Sequence, residues 1–332
     1  MSPEPRPLVS VVVTTYNQAP YIGQTLESVL SQRYEPAEVI VVDDGSTDGT
    51  RKVVEQYGDR VVPTFQTNRG VAASRNTGVQ MAKGDLIAFL DGDDRWDPEM
   101  LAVQVRVAQS NPQSGLIVVD GVEVDETGVI RSSLLGRLDD LWDGSDVLSR
   151  PFYREFLRGN LIPTTSQVMV PAHVLRDIGP SDTSLAVASD YDLYLRIASR
   201  YDVTFIKRPL MSWRYLPTSA SGPRERREFR WAEEDLAILK RQLSEGPRED
   251  RELVRRELKW RLFRTAQRAY FYGRQHNRSF GRRYLARLLA RHPYSLQLLL
   301  FLVALSWSPR LTRALRPAVR TLVPERNRDS DR

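Results

Sequence analysis

An alternation of greasy runs and helix-period segments near the N-terminus constrains this chain more than any other feature. Residues 9–13 (VSVVV), 38–42 (EVIVV) and 86–90 (LIAFL) are short, apolar and largely β-branched, the pattern of strands buried on both faces. Residues 20–32 lie between the first two and set Tyr21, Ile22, Leu26, Val29 and Leu30 at helical spacing. Residues 50–57 and 71–82 read as further helices, and 61–65 as another strand. Strands alternating with helices predict an α/β fold with a mostly parallel sheet flanked by helices. Beyond this repeat the pattern predicts a helix from Pro98 to Ser110, a strand over 116–119 and an irregular stretch over 125–165. It then predicts an edge strand at 168–170, an amphipathic helix over 190–199 and a short strand at 203–206.

Charge divides the chain in two. Residues 1–223 carry 21 Lys/Arg against 29 Asp/Glu, whereas residues 224–332 carry 27 against 13. The first region suits cation binding and the second suits an anionic surface. The second region reads as Arg-rich helices, with Leu258, Leu262, Ala266, Ala269 and Phe271 predicted to share an apolar face. The chain has no cysteine, which excludes disulfides, thiolate nucleophiles and cysteine zinc sites. Its three histidines, His173, His276 and His292, stand at no metal-ligand spacing. Any metal would therefore be held by oxygen, which favours Mg²⁺ or Mn²⁺. Residues 1–7 lack the apolar stretch of a signal peptide, and no apolar run approaches the ~18 residues of a membrane span.

Chemistry-bearing residues gather where strands end, the edge at which open α/β sheets bind ligands. The first strand runs into Thr14-Thr15-Tyr16-Asn17 and the second into Asp43-Asp44-Gly45-Ser46. The second loop admits two readings, a nucleoside contact or a turn capping the next helix. Asp44, Ser46, Asp48, Gly49 and Glu55 also fit a calcium-loop pattern, but a strand precedes them where that motif needs a helix. The 86–90 strand ends in Asp91-Gly92-Asp93-Asp94. Three like charges so close repel one another, and either a divalent cation relieves this while binding a diphosphate or the segment is a solvated acidic turn before the helix near Pro98. Ser189-Asp190-Tyr191-Asp192 opens a later helix, where Asp190 serves either as a general base or, with Ser189, as a candidate cap. A P-loop, a G-x-G-x-x-G, a G-x-S-x-G and a histidine metal signature are all missing, which argues against nucleotide hydrolysis, dinucleotide redox chemistry and serine hydrolysis.

In order and spacing these segments resemble glycosyltransferase family 2. The carrying residues are 9–17 (VSVVVTTYN), 28–32 (SVLSQ), 39–50 (VIVVDDGSTDGT), 68–70 (NRG), 73–78 (ASRNTG), 84–94 (GDLIAFLDGDD) and 189–196 (SDYDLYLR). The resemblance covers residues 8 to about 215. It implies a GT-A, Rossmann-like fold over residues 1–223, with a nucleotide-sugar half at about 8–120, an acceptor half at about 121–223 and a helical basic extension over 224–332. It implies an inverting enzyme that moves a sugar from a nucleotide-diphospho-sugar to a hydroxyl of a glycan or lipid-linked acceptor in polysaccharide or glycolipid synthesis. By the same likeness Thr14, Tyr16 and Asp44 line the nucleoside site, and Asn68, Arg75 and Asn76 sit by the nucleotide sugar. Asp91 and Asp93 form the D-x-D pair for metal and diphosphate, and Asp190 is the base. A catalytically inactive sugar-nucleotide or glycan binder on the same fold is the rival reading.

The chain departs from the family in three places. Ser189 precedes the base where an acid is usual, and Leu216 stands where a histidine often follows an aromatic-Arg pair, here Trp213-Arg214. Arg227 occupies the Gln position of the Gln-x-x-Arg-Trp signature of processive enzymes, so a single addition is expected. At the C-terminus the apolar run 298–305 is flanked by Arg287, Arg291, Arg310, Arg313, Arg316 and Arg320. This pattern suits a cytoplasmic protein lying on the anionic inner face of a membrane, or else a buried core helix. No nucleic-acid partner is expected, because the basic region carries no recognised module and the acidic half repels phosphates.

Overall fold

The computed structural model describes residues 6–142, 144–216, 225–276 and 278–292. The chain divides into two compact units, Met1–Pro223 and Arg224–Arg332.

The first unit is an α/β layer structure. In chain order it runs β1 (Val9–Thr15), α1 (Ala19–Leu30), β2 (Ala37–Asp43), α2 (Thr50–Glu55), β3 (Val62–Phe65), α3 (Val71–Met81), β4 (Leu86–Asp91), β5 (Arg95–Trp96) and α4 (Met100–Ser110). It continues with β6 (Ser114–Asp125), β7 (Gly128–Arg131), β8 (Val147–Arg150), α5 (Tyr153–Arg158), β9 (Val168–Pro171), α6 (Ala172–Ile178), α7 (Ser189–Ala198) and β10 (Asp202–Arg214). The sheet order is β3-β2-β1-β4-β9-β6-β10-β5, with β7 on β6 and β8 on β10. Strands β3, β2, β1 and β4 are mutually parallel, as are β6 and β10. Every residue of β1 is buried, and so are the first five of β4, because helices cover both faces. The parallel register sets Thr14 beside both Val42 and Asp91. The polar ends of β1, β2 and β4 thus meet along one edge.

Three expectations need correction here. The 168–170 strand is not at an edge: β9 lies between β4 and β6, antiparallel to both. Its side chains are fully buried, and its brevity alone made it look marginal. The 203–206 strand extends to Arg214, passing Pro209 through register shifts that keep the strand going without a proline N–H. The α7 helix is buried nearly all round, Asp192 included, and so is not amphipathic in place.

The second unit packs α8 (Glu225–Glu245), α9 (Arg251–Gln275) and α10 (Arg278–Arg291) around Phe229, Leu262, Ala266, Ala269, Tyr284 and Leu288. Leu262, Ala266 and Ala269 share the buried stripe as predicted, with Leu258 packed at its border. Phe271 does not: it is exposed, and Tyr270 takes the inward position, one residue or about 100° round the helix. Among the described residues no helix is long and apolar enough to cross a membrane. The 298–305 run and Arg310, Arg313, Arg316 and Arg320 lie outside the described residues.

Candidate active site

The loops after β1 and β2 are laced together. Asn17, in the left-handed region at φ 53, accepts the Thr47 amide at 2.7 Å, and its own amide donates to Ser46 Oγ at 2.8 Å. Asp43 accepts the Ser46 amide and hydroxyl. Asp44 is 4% exposed. Its carboxylate receives the Gln66 amide at 2.7 Å, the Arg69 N–H at 2.9 Å and the Gly70 N–H at 2.8 Å. Asp44 therefore fastens the 66–70 loop under the strand end and does not cap α2. The Thr50 amide that opens that helix goes to Asp48 instead. Gly45 is required here, since it has φ +77 and a side chain on it would meet the Asn68 amide nitrogen at 2.8 Å. Asn68 itself is exposed, as is Tyr16, while Thr14 is buried.

The three carboxylates after β4 have different fates. Asp91 accepts Arg75 Nη2 at 2.8 Å and Thr14 Oγ1 at 3.3 Å. Asp94 is 1% exposed and fully engaged. It accepts Ser166 Oγ at 2.5 Å, Thr164 Oγ1 at 3.3 Å and the Arg214 amide at 3.0 Å. Burial, with Asp93 and Asp91 adding like charge, pushes its pKa well above the carboxylate range. Asp93 keeps its carboxylate clear of any protein ion pair among the described residues. Its pKa is pushed up to about 6 by burial and by the Asp91 charge, against hydrogen bonds from its own backbone and Gln18 and the field of Arg214. Buried polar atoms without a hydrogen-bond partner flank this turn: Thr15 Oγ1, Gln18 Oε1 and Arg75 Nε.

Among the described residues no three His, Cys, Asp or Glu side chains are grouped to hold a metal ion. The donor set fits a different arrangement. Mg²⁺-type ions take one or two carboxylates and complete their shell with water and substrate phosphate. Asp93 offers such a carboxylate, beside an Asp91 whose charge Arg75 already offsets.

Arg75 also connects this turn to α7. Arg75 is 8% exposed, and its guanidinium lies within electrostatic reach of Asp190 and Tyr194, which sit one turn apart on α7. Asp190 is raised in pKa by burial, partly offset by Arg75 and by the Tyr191 amide it accepts at 2.7 Å. It is not the helix cap: α7 begins from Ala188 without a side-chain cap. Asp192 faces the other way, fully buried against Arg196 at 2.9 Å, and Arg196 in turn ties the Ile178 and Pro180 carbonyls. Asn76 exchanges two 2.9 Å hydrogen bonds with the Ser181 backbone and so holds the approach to α7.

Sequence reasoning singled out Asp91, Asp93, Arg75 and Asp190 separately, and in the structure they lie near one another. It missed Ser166, which accepts the Asp91 amide at 3.0 Å while donating to Asp94, and Trp96, whose indole donates to the Ser166 carbonyl. The signal was present: Thr164-x-x-Gln167 is a capping box.

A family model described as glycosyl transferase family 2 matches residues 10–176, half of the chain. The chain belongs to glycosyltransferase family 2. An uncharacterized glycosyltransferase of Nostoc sp. is 39% identical over 121 residues, 34% of this chain and 38% of that one. An uncharacterized glycosyltransferase of Rickettsia typhi is 29% identical over 201 residues, 59% of this chain and 61% of the relative. TuaG of Bacillus subtilis, named for teichuronic acid biosynthesis, is 39% identical over 131 residues, 36% of this chain and 52% of its own. The chain thus spans less than two thirds of the length of these relatives. Among solved structures, S. aureus TarS 1–349 in complex with UDP aligns at TM-score 0.64 and 20% identity, over 94% of this chain and 86% of that one. The mannosyltransferase PcManGT of Pyrobaculum calidifontis, in complex with GDP-Man and Mn²⁺, aligns at 0.55 and 21%, over 96% and 84%. These likenesses establish the fold as GT-A.

Proposed function

We propose that this family 2 protein is an inverting, metal-dependent glycosyltransferase. It would transfer a sugar from a nucleotide-diphospho-sugar to an acceptor hydroxyl in the synthesis of cell-surface polysaccharide or glycolipid. The observation that carries this reading is the trio Asp93, Arg75–Asp91 and Asp190: a carboxylate without a protein ion pair among the described residues, an ion pair beside it, and a half-buried base within the same electrostatic field. Mg²⁺ or Mn²⁺ held at Asp93, with Asp91 adjacent, would supply charge stabilisation for the departing diphosphate.

The chain's own residues account for the rest. Asp190, made more basic by burial, takes the proton from the acceptor hydroxyl as that oxygen attacks the anomeric carbon. One displacement at that carbon inverts its configuration. Arg75 neutralises Asp91, so the site does not present two uncompensated charges to an anionic donor. Thr14, Tyr16, Asp44 and Asn68 form the strand-end edge offered to the nucleoside, and Asn76 steadies the segment that leads to Asp190. Solved neighbours carry UDP, UDP-GlcNAc or GDP-Man, which supports a nucleotide-sugar donor. The family resemblance supports a glycan or lipid-linked acceptor, and the basic charge of the second unit supports docking on an anionic membrane surface on its cytoplasmic side. The test is turnover of a panel of UDP- and GDP-sugars with Mn²⁺ or Mg²⁺ and after chelation, with the anomer read by NMR. A retained configuration, or turnover indifferent to chelation, would overturn the reading.

A further inference from the structure

The turn that carries the three carboxylates is fixed by its carbonyls as well as by its side chains. Thr25 Oγ1, on α1, lies 3.0 Å from the Gly92 carbonyl and 2.8 Å from the Asp94 carbonyl and shares its one proton between them. The carbonyl between them, that of Asp93, accepts Arg214 Nε at 3.1 Å. Arg214 is the last residue of β10, and the same residue gives its main-chain N–H to Asp94 at 3.0 Å. Its guanidinium reaches across to α1, donating through Nη2 to Gln24 Oε1 at 3.1 Å and lying 4.9 Å above the Tyr21 ring. Three successive carbonyls are therefore held by side chains from two elements that sequence places far apart. Arg214 spans both of those elements and the turn.

We propose that Arg214 is a positioning residue for donor binding: it clamps the Asp93–Asp94 turn between β10 and α1 and so aims the Asp93 carboxylate at the cation that accompanies the donor diphosphate. The chemistry explains why an arginine is needed. A planar guanidinium can donate in two directions in its plane while its face rests on an aromatic ring, and an ammonium cannot. Arg214 holds Asp93 by the carbonyl and forms no ion pair with its carboxylate, which contrasts with Arg75 on Asp91. The carboxylate is thereby fixed in place yet left to a ligand. Losing such a support around a metal-binding group typically weakens binding by about 10- to 100-fold.

The inference rests on the reading of Asp93 as the donor-side carboxylate, and the experiment separates the two. UDP and GDP are titrated calorimetrically into the full chain with Mn²⁺ and with EDTA, for the parent, Arg214→Lys, Arg214→Ala and the pair Tyr21→Leu/Gln24→Ala. Manganese-dependent nucleotide binding by the parent tests the underlying reading, and its absence sinks both. Given that binding, Arg214→Lys and Arg214→Ala should each weaken it by at least about tenfold, with metal-free binding changed far less. The Tyr21/Gln24 pair, which leaves β10 intact, should move it in the same direction and serves as the readout if an Arg214 variant fails to fold. If Arg214→Lys binds like the parent, a bare charge suffices and the clamp is wrong. If Arg214→Ala or the pair stays within twofold of the parent while folded, the proposal also falls.

Discussion

The loops after β2 and β4 stand at the same edge of the sheet, and both begin with aspartates, yet the protein treats their charges differently. After β2, Asp43 accepts two hydrogen bonds on one oxygen and Asp44 accepts three from backbone and side chain, by which it anchors a neighbouring loop. After β4, only Asp94 is saturated. Asp91 is balanced by a buried arginine, and Asp93 is crowded by like charge. An aspartate at a strand end thus says little alone. What separates the two loops is how far the protein itself satisfies the charge.

That contrast can be broken by mutation. The largest effect is expected at Asp190, where Asn should lower transfer by about 10²- to 10⁴-fold while calorimetry still detects donor binding. An active Asp190→Asn beside a dead but folded Asp192→Asn would move the base to the other carboxylate. The same residue sets the pH profile. A base works ionised, and burial raises the pKa of Asp190, so kcat/KM should fall with decreasing pH through a midpoint above the ordinary ~3.9 of aspartate. A midpoint at or below that value would mean another group is titrating.

Asp93→Asn should cost about 100-fold in Mn²⁺-dependent turnover. Because it removes a buried like charge, it should raise the melting midpoint measured without divalent cation. Asp44→Asn is the mirror case. It turns an amide toward donors that need an acceptor, and should cost about 1–3 kcal/mol in chemical denaturation. If Asp44→Asn proved stabilising and Asp93→Asn destabilising, the comparison would be reversed. The smallest effect is expected at Asn76→Ala. It removes two hydrogen bonds to the Ser181 backbone, worth about 1 kcal/mol each in denaturation, and should lower kcat more than donor affinity.

Periodicity made β1, β2 and β4 legible, because each is long enough to bury a face and is punctuated by Gly, Asp or Pro. It failed where pattern is short or borrowed. Four-residue β9 is a central strand only because β4 and β6 flank it. β10 outruns its 203–206 signature because pairing with β6 carries it past Pro209. At the site, residue types and order singled out Asp91, Asp93 and Asp190 as candidates, whereas the contacts of Asp44, Asp94 and Arg214 involve hydrogen-bond partners 22 to 190 positions away. Spacing along the chain cannot encode such contacts. Only the completed sheet brings them together.

The placement of β9 bears on how the molecule is made. Strands β4 and β6 meet only through it, at Ile87–Val170, Ala88–Met169 and Ile117–Met169. During synthesis the β3-β2-β1-β4 half-sheet can assemble early, but its open side stays bare until the chain has grown by roughly 80 residues, several seconds at ~5–20 residues per second. That side is lined by Leu86, Ile87 and Ala88, an apolar edge of the kind that recruits foreign strands. The nascent protein therefore passes through a window of self-association, closed when four residues from a distant part of the chain slide between two waiting strands. A fragment cut before Val168 would never leave that window.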